Sequence, residues 1–135
     1  FVETYARTGE PSPTTVLLMA AARRDFFLTV QHGQFYQGKP VIGYDLPGFG
    51  DELCGLPYLP RLIAKARAKL VGSMGDDIIY CCENDRRFFR DHGNIHPADF
   101  LRVVWAAGDS DPKVYDYVRQ RTLSVSSAVP DNEQT

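Results

Sequence analysis

From residue 57 onward the apolar side chains of this chain recur at helical spacing. Leu59, Leu62, Ile63, Ala66 and Leu70 share one helical face. Gly72 stands just beyond, where a left-handed residue ends such a helix. A brief helix bearing Phe88 and Phe89 follows, with Asn84 or Asp85 able to cap it and Gly93 to stop it. Pro97 sits where a first helical turn tolerates proline, and Phe100, Leu101, Val104 and Trp105 line the next helix up to Gly108. Ser110 or Asp111 starts a last helix with Val114, Tyr117 and Val118 facing inward. Residues 78–81 form a short β or extended run.

The first third has a different rhythm. Residues 16–22 read as a short Ala-rich helix capped by Ser12 or Thr14. Residues 26–30 are aromatic and β-branched and approach a turn at His32-Gly33. Phe35-Tyr36, a second turn at residues 38–40, and residues 41–44 continue that character, which predicts one or two short hairpins between Phe26 and Tyr44. The fold class expected is mainly α with a minor β element (α+β), a small helical domain with those hairpins in its N-terminal third. Residues 1–13 read as an extended arm, 14–123 as one globular domain, and 124–135, where periodicity is lost, as a flexible C-terminal tail.

Composition narrows the class. The 135 residues suffice for one core, and 44% apolar with 24% charged residues is ordinary for a soluble globular protein. A formal charge of −2 argues against a nucleic-acid binder. No apolar run reaches the roughly 20 residues that span a bilayer. Three cysteines, Cys54, Cys81 and Cys82, make an odd count, unlike a secreted disulfide scaffold, so a reducing cytoplasm is the economical location, with room for a place at the periphery of a membrane complex. The chain begins on Phe1, not Met, so a signal upstream of it would be out of sight.

Three stretches carry a family resemblance: Leu59-Pro-Arg-Leu-Ile-Ala-Lys65-Ala-Arg67-Ala-Lys-Leu70-Val-Gly72, Gly75-Asp-Asp-Ile-Ile-Tyr80-Cys-Cys82 and Asp85-Arg-Arg-Phe-Phe89. Over roughly residues 46–122 the sequence resembles a bacterial family catalogued as domain of unknown function 5069. The resemblance implies a small, mostly helical domain built on a Leu-x-Arg-x-Ile-Asp-Lys-x-Arg-Ala helix, a Gly-Glu-Tyr-x-Tyr turn and strand, a Cys-Pro-Leu-Asp step and closing helices. Ala64 stands where that helix has Asp, Asp76-Asp77 replaces Glu-Tyr, and Cys82-Glu83 replaces Pro-Leu after Cys81. The resemblance implies a fold and brings no mechanism with it.

Candidate chemistry concentrates between residues 80 and 96. Cys81, Cys82, His92 and His96 are the candidate metal ligands. His92 and His96 meet the H-x₃₋₅-H half of a zinc pattern, whereas adjacent cysteines miss the C-x₂₋₄-C half. Cys82 is the candidate nucleophile, with Arg86 or His92 as its helper and Glu83 and Asp85 opposing it. Arg61, Lys65 and Lys69, spaced i, i+4, i+8, form a basic stripe on one helical face, read either as a solvated face or as a docking strip for an acidic partner or an anionic head group. Aromatic residues between Phe26 and Tyr58 serve either a core or an interface.

Together these features read as a non-catalytic protein-interaction module, an accessory subunit of a larger assembly, membrane-bound assemblies included. No cofactor is implied and no spanning segment is present in the chain. Arg61, Lys65, Lys69, Phe35, Tyr36, Phe1 and Tyr5 are the interaction candidates. The alternatives are a thiol-dependent enzyme using Cys82 or a small metal-binding domain.

Overall fold

A computed structural model describes the backbone of residues 11–133 and the side chains of residues 11–124. Phe1, Tyr5 and the first ten residues of the expected arm lie outside the described residues. Five α-helices are present among the described residues: α1 Pro13–Thr29, α2 Leu59–Val71, α3 Glu83–Asp91, α4 Pro97–Ala107 and α5 Asp111–Glu133. A two-stranded antiparallel sheet, β1 Glu52–Leu53 and β2 Leu56–Pro57, precedes α2. The fold is mainly α with a minor β element.

Ser12 starts α1: its Oγ accepts a hydrogen bond from Thr15 N at 3.1 Å, and Pro13 occupies a first-turn position. The helix runs through Thr29, so residues 26–30, expected to be β, are helical up to that point. Packing decides this against local propensity. The Phe26 ring meets Trp105 edge-on at 5.3 Å, and Arg23 donates to Lys69 O at 3.0 Å. Both contacts require helical placement of the segment against α4 and α2.

The expected hairpins between Phe26 and Tyr44 do not form. Beyond Thr29 that stretch is a loop pinned to the chain further on: Val41 N donates to Ser73 O, Gly75 N to Val41 O, both at 2.7 Å, and Gly43 N to Asp77 Oδ2 at 2.8 Å. The hairpin lies later, with Glu52 opposite Pro57 and Leu53 opposite Leu56. Its two-residue loop is Cys54-Gly55, with φ of 54° and 84°. Two positive φ values suit the right-handed strand twist, and Asn-Gly is the usual sequence for them. Cysteine at the first position concealed this turn from the sequence pattern.

Helix α2 is the centre of the domain. Leu59, Leu62, Ile63, Ala66 and Leu70, the face read from the spacing, are all buried, and Lys65 and Ala68 are buried with them. The helix packs against α1, α4 and α5. Gly72 ends it in a left-handed conformation, as expected. Phe88 and Phe89 of α3, Phe100, Leu101 and Val104 of α4, and Val114 and Val118 of α5 complete the core. Each such side chain contributes about 1.5–3 kcal/mol on burial. Residues 78–81 join no sheet, and the nearest bridge is Val41 with Met74. The backbone of α5 stays helical to Glu133, past residue 123 where the apolar spacing stops, because extending a formed helix costs little. No helix among the described residues is long and apolar enough to cross a membrane.

Candidate functional site

The Arg61, Lys65, Lys69 stripe does not survive as one surface. Helix α2 is enclosed on nearly all sides, so the three cations meet three environments. Lys65 is 4% exposed and points at the start of α3. Its ammonium donates to Asp85 Oδ2 at 2.7 Å and to Cys82 Sγ at 3.5 Å. Asp85, read as a possible cap, is instead fully buried at 0% exposure. Its carboxylate also accepts from Cys81 N at 2.9 Å through Oδ2 and from the Tyr58 hydroxyl through Oδ1. Three donors on one buried carboxylate are what such a charge requires away from water.

Two backbone distortions bracket this cluster. Tyr58 and Cys81 both adopt left-handed conformations, with φ of 76° and 72°. Bulky residues rarely do so, and such strain persists only where surrounding contacts enforce it. At Tyr58 the chain swings from β2 into α2 and throws the phenol inward onto Asp85. Burial, reinforced by the hydrogen bond to Asp85, holds that phenol far above the ordinary tyrosine range. At Cys81 the turn sends the backbone N–H onto Asp85 and leaves Cys82 at the N-cap of α3, whose side chain makes no capping bond.

The two neighbouring cysteines part company. Cys81 is buried, and burial pushes its thiol up to about 11 against the pull of Arg86, while Asp85 adds to the rise. Unfolding returns that thiol to its ordinary value of 9.0, so the unfolded chain sheds a proton that the folded chain keeps. Stability therefore falls as pH rises between 9.0 and about 11. Chemical denaturation at stepped pH should show this fall, and Cys81→Ala should make it shallower. Cys82 is half-buried and lines a cleft of about 200 Å³ with Tyr58, Arg61, Lys65, Asp77 and Asn84. The Arg61 guanidinium lies over the Phe49 ring, 4.2 Å from its centroid, and donates to Pro47 O at 3.0 Å.

The helpers read from the sequence for Cys82 are occupied elsewhere. Arg86 donates to Cys81 O at 2.8 Å. His92 ends α3, its Nδ1 2.8 Å from Phe88 O and its ring stacked on Phe88 at 4.1 Å. His96 is the N-cap of α4 and accepts from Ala98 N at 3.0 Å through Nδ1. Cys81, Cys82, His92 and His96 therefore do not converge, and among the described residues no three His, Cys, Asp or Glu side chains are grouped to hold a metal ion. Tyr58 and Asp85 are the participants that the residue pattern missed. Asp85 shares a helical face with Phe88 and Phe89, three and four positions on, and that spacing is the signal that could have marked it as buried.

Lys69 and Phe35 do come together, on another face. They border a groove of about 510 Å³ along α1, with an apolar floor of Val16, Met19, Ala20 and Phe27. Arg23 and Arg24 complete its rim. Phe35 is held by Phe27, ring centroids 4.9 Å apart, yet is 72% exposed. Tyr36 lies beside it, exposed, with its hydroxyl donating to Lys39 O at 2.8 Å. Partial burial, then the nearby Arg23 charge, push the Lys69 ammonium below its ordinary range.

Comparison with curated proteins and with solved structures gives no match. A family model described as Domain of unknown function (DUF5069) matches residues 50–128, more than half of the chain. The matched stretch holds the hairpin, α2, α3, α4 and the buried cluster. Within it the Cys-x-x-Asp spacing of the resemblance is met by Cys82 and Asp85, the two side chains that share Lys65, and not by Cys81. On that match the chain belongs to the DUF5069 family.

Proposed function

We propose that the chain is a non-catalytic protein-interaction module, an accessory subunit that docks an acidic, amphipathic segment of a partner protein in the groove along α1. The observation that carries the reading is the make-up of that groove: an apolar floor with Arg23, Arg24 and Lys69 at its edge, and no acidic side chain among its described lining residues. Helix α1 buries only Met19 and Ala22 completely, while Leu17 is 71% exposed and Val16 45%. Contiguous exposed apolar surface on a small domain marks interaction sites. Aromatic anchors with charge at the rim are the usual division of labour in interfaces. The depressed Lys69 ammonium adds a reason for acidity in the partner, since a carboxylate laid between Lys69 and Arg23 relieves their repulsion.

Of the interaction candidates, Phe35, Tyr36 and Lys69 belong to this reading. Lys65 leaves it because it is buried, and Arg61 because it faces the Cys82 cleft. The test is affinity capture with the full chain as bait, repeated with Phe35→Ser and with Arg24→Glu. Both residues are exposed, so folding should be unaffected. The expected result is a partner retained by the parent chain and lost, by roughly tenfold or more, from both variants. A peptide cut from its acidic segment should compete for the groove. A captured set that is the same for all three baits rejects the reading, as does a parent chain that retains nothing.

A further inference from the structure

The interaction reading leaves the Cys82 cleft without a role, and its geometry is not that of an inert thiol. Four observations converge on one sulfur. The Lys65 ammonium donates to Sγ at 3.5 Å. Cys82 is the N-cap of α3, so the first-turn N–H groups, which have no partner within the helix, lie beside it, and its own side chain makes no capping bond. The residue before it is held in a left-handed conformation, φ 72°, which delivers Cys82 to the cleft and Cys81 to the core. The cleft, about 200 Å³, admits a small molecule, and Arg61 stands on its wall.

From this geometry we infer that Cys82 is a site of reversible oxidation by a small hydroperoxide, distinct from the groove along α1. The sulfur lone pair attacks the nearer peroxide oxygen. An S–O bond forms, the O–O bond breaks, and the leaving hydroxide or alkoxide takes the bonding electron pair and then a proton from water. Sulfur is oxidised from cysteine to sulfenic acid, its thiol proton passing through water to the departing oxygen, and the peroxide is reduced to water or alcohol. Two equivalents of an external thiol restore the cysteine, forming a disulfide between them and releasing water. Lys65 and the α3 N-terminus stabilise the attacking sulfur, and Arg61 stabilises the charge that develops on the departing oxygen.

Acidic groups also border the site. Asp77 lines the cleft, with Oδ2 accepting from Gly43 N at 2.8 Å, and Asp85 holds the other side of Lys65. Neither is hydrogen-bonded to the sulfur. A peroxide is neutral, so these carboxylates do not repel it as they would an anionic substrate. That is why a hydroperoxide fits this cleft better than a carboxylate or a phosphate.

The experiment uses the full chain and its own thiols as internal references. Low hydrogen peroxide is applied, sulfenic acid is trapped with a carbon nucleophile, and the three cysteine peptides are quantified by mass spectrometry. Cys54 is exposed and Cys81 is buried. The expected result is labelling of Cys82 about tenfold faster than Cys54, with Cys81 unlabelled. Arg61→Gln leaves the Lys65–Asp85 pair intact and should slow Cys82 several-fold while leaving Cys54 unchanged. The double variant Lys65→Met with Asp85→Leu should bring Cys82 down to the Cys54 rate. Cys82 labelled no faster than Cys54, or equally fast in the Arg61→Gln chain, overturns the inference. Both outcomes are independent of any partner at the α1 groove.

Discussion

Asp85→Ala should cost about 3–5 kcal/mol of stability, the largest loss expected from any single polar side chain here. The reason is what it leaves behind. Lys65, 4% exposed, would keep an ammonium with no counter-charge, and its remaining contact is the Cys82 sulfur at 3.5 Å. Cys81 N–H and the Tyr58 hydroxyl lose their acceptor in the same step. Against a total stability of about 5–15 kcal/mol, this loss lowers the melting temperature by on the order of 10 °C or more. Lys65→Met with Asp85→Leu should recover much of it, because no buried charge remains. Recovery stays incomplete, since the Cys81 N–H is still orphaned, at about 1–3 kcal/mol. The exposed Arg102–Asp25 pair at 2.8 Å is the contrast: Asp25→Ala should cost at most about 1 kcal/mol. Urea denaturation of the four chains measures all three figures. A loss for Asp85→Ala as small as that for Asp25→Ala would show that water or a side-chain shift satisfies Lys65.

The helices of the core were legible because their apolar residues repeat. The face Leu59, Leu62, Ile63, Ala66, Leu70 is buried as spacing implied, and Gly72, Pro97 and Gly93 mark element ends as their backbone chemistry requires. What stayed hidden depends on contacts distant in sequence. Residues 26–29 are helical because Phe26 finds Trp105, a partner 79 positions on that no local window contains. The hairpin escaped because Cys54 occupies a position where Asn or Asp would have announced the turn.

The candidate site shows the same division. Cys82 and Lys65 were both singled out, but separately, one as a thiol and one as part of a surface stripe. Their meeting depends on the turn at Cys81 and on how far α2 is enclosed, and neither is written in a periodic pattern. Asp85, which holds the Lys65 ammonium that reaches Cys82, looked like an ordinary helix-capping acid. A lysine on a helix with Leu, Ile, Ala or Val at eight of its thirteen positions is a signal that could have been used, because so wide an apolar arc leaves little room for a solvated stripe.

Gly93→Ala should cost about 2–5 kcal/mol, with the damage concentrated at α5. Two terms add. The residue has φ of +92°, a conformation that costs an L side chain about 1–2 kcal/mol. A Cβ there would also stand 2.6 Å from Arg121 O and 2.7 Å from Arg121 C, which are backbone atoms that cannot rotate away. Relieving that clash means moving α5, at about 1–3 kcal/mol. It also breaks the bond from Arg121 to Gly93 O at 2.7 Å. Val114 and Val118, buried on the same helix, are then pulled from the core. Gly108→Ala separates the terms: Gly108 also has positive φ, 61°, but nothing lies within 4 Å of its added Cβ. It should lose the conformational part alone, about 1–3 kcal/mol, its ψ of −122° lying outside the left-handed helical region. Hydrogen exchange should quicken along α5 in Gly93→Ala and stay near the parent rate there in Gly108→Ala. Equal losses for the two substitutions would mean that the contact between Gly93 and Arg121 yields without cost, and that α5 is held by its valines alone.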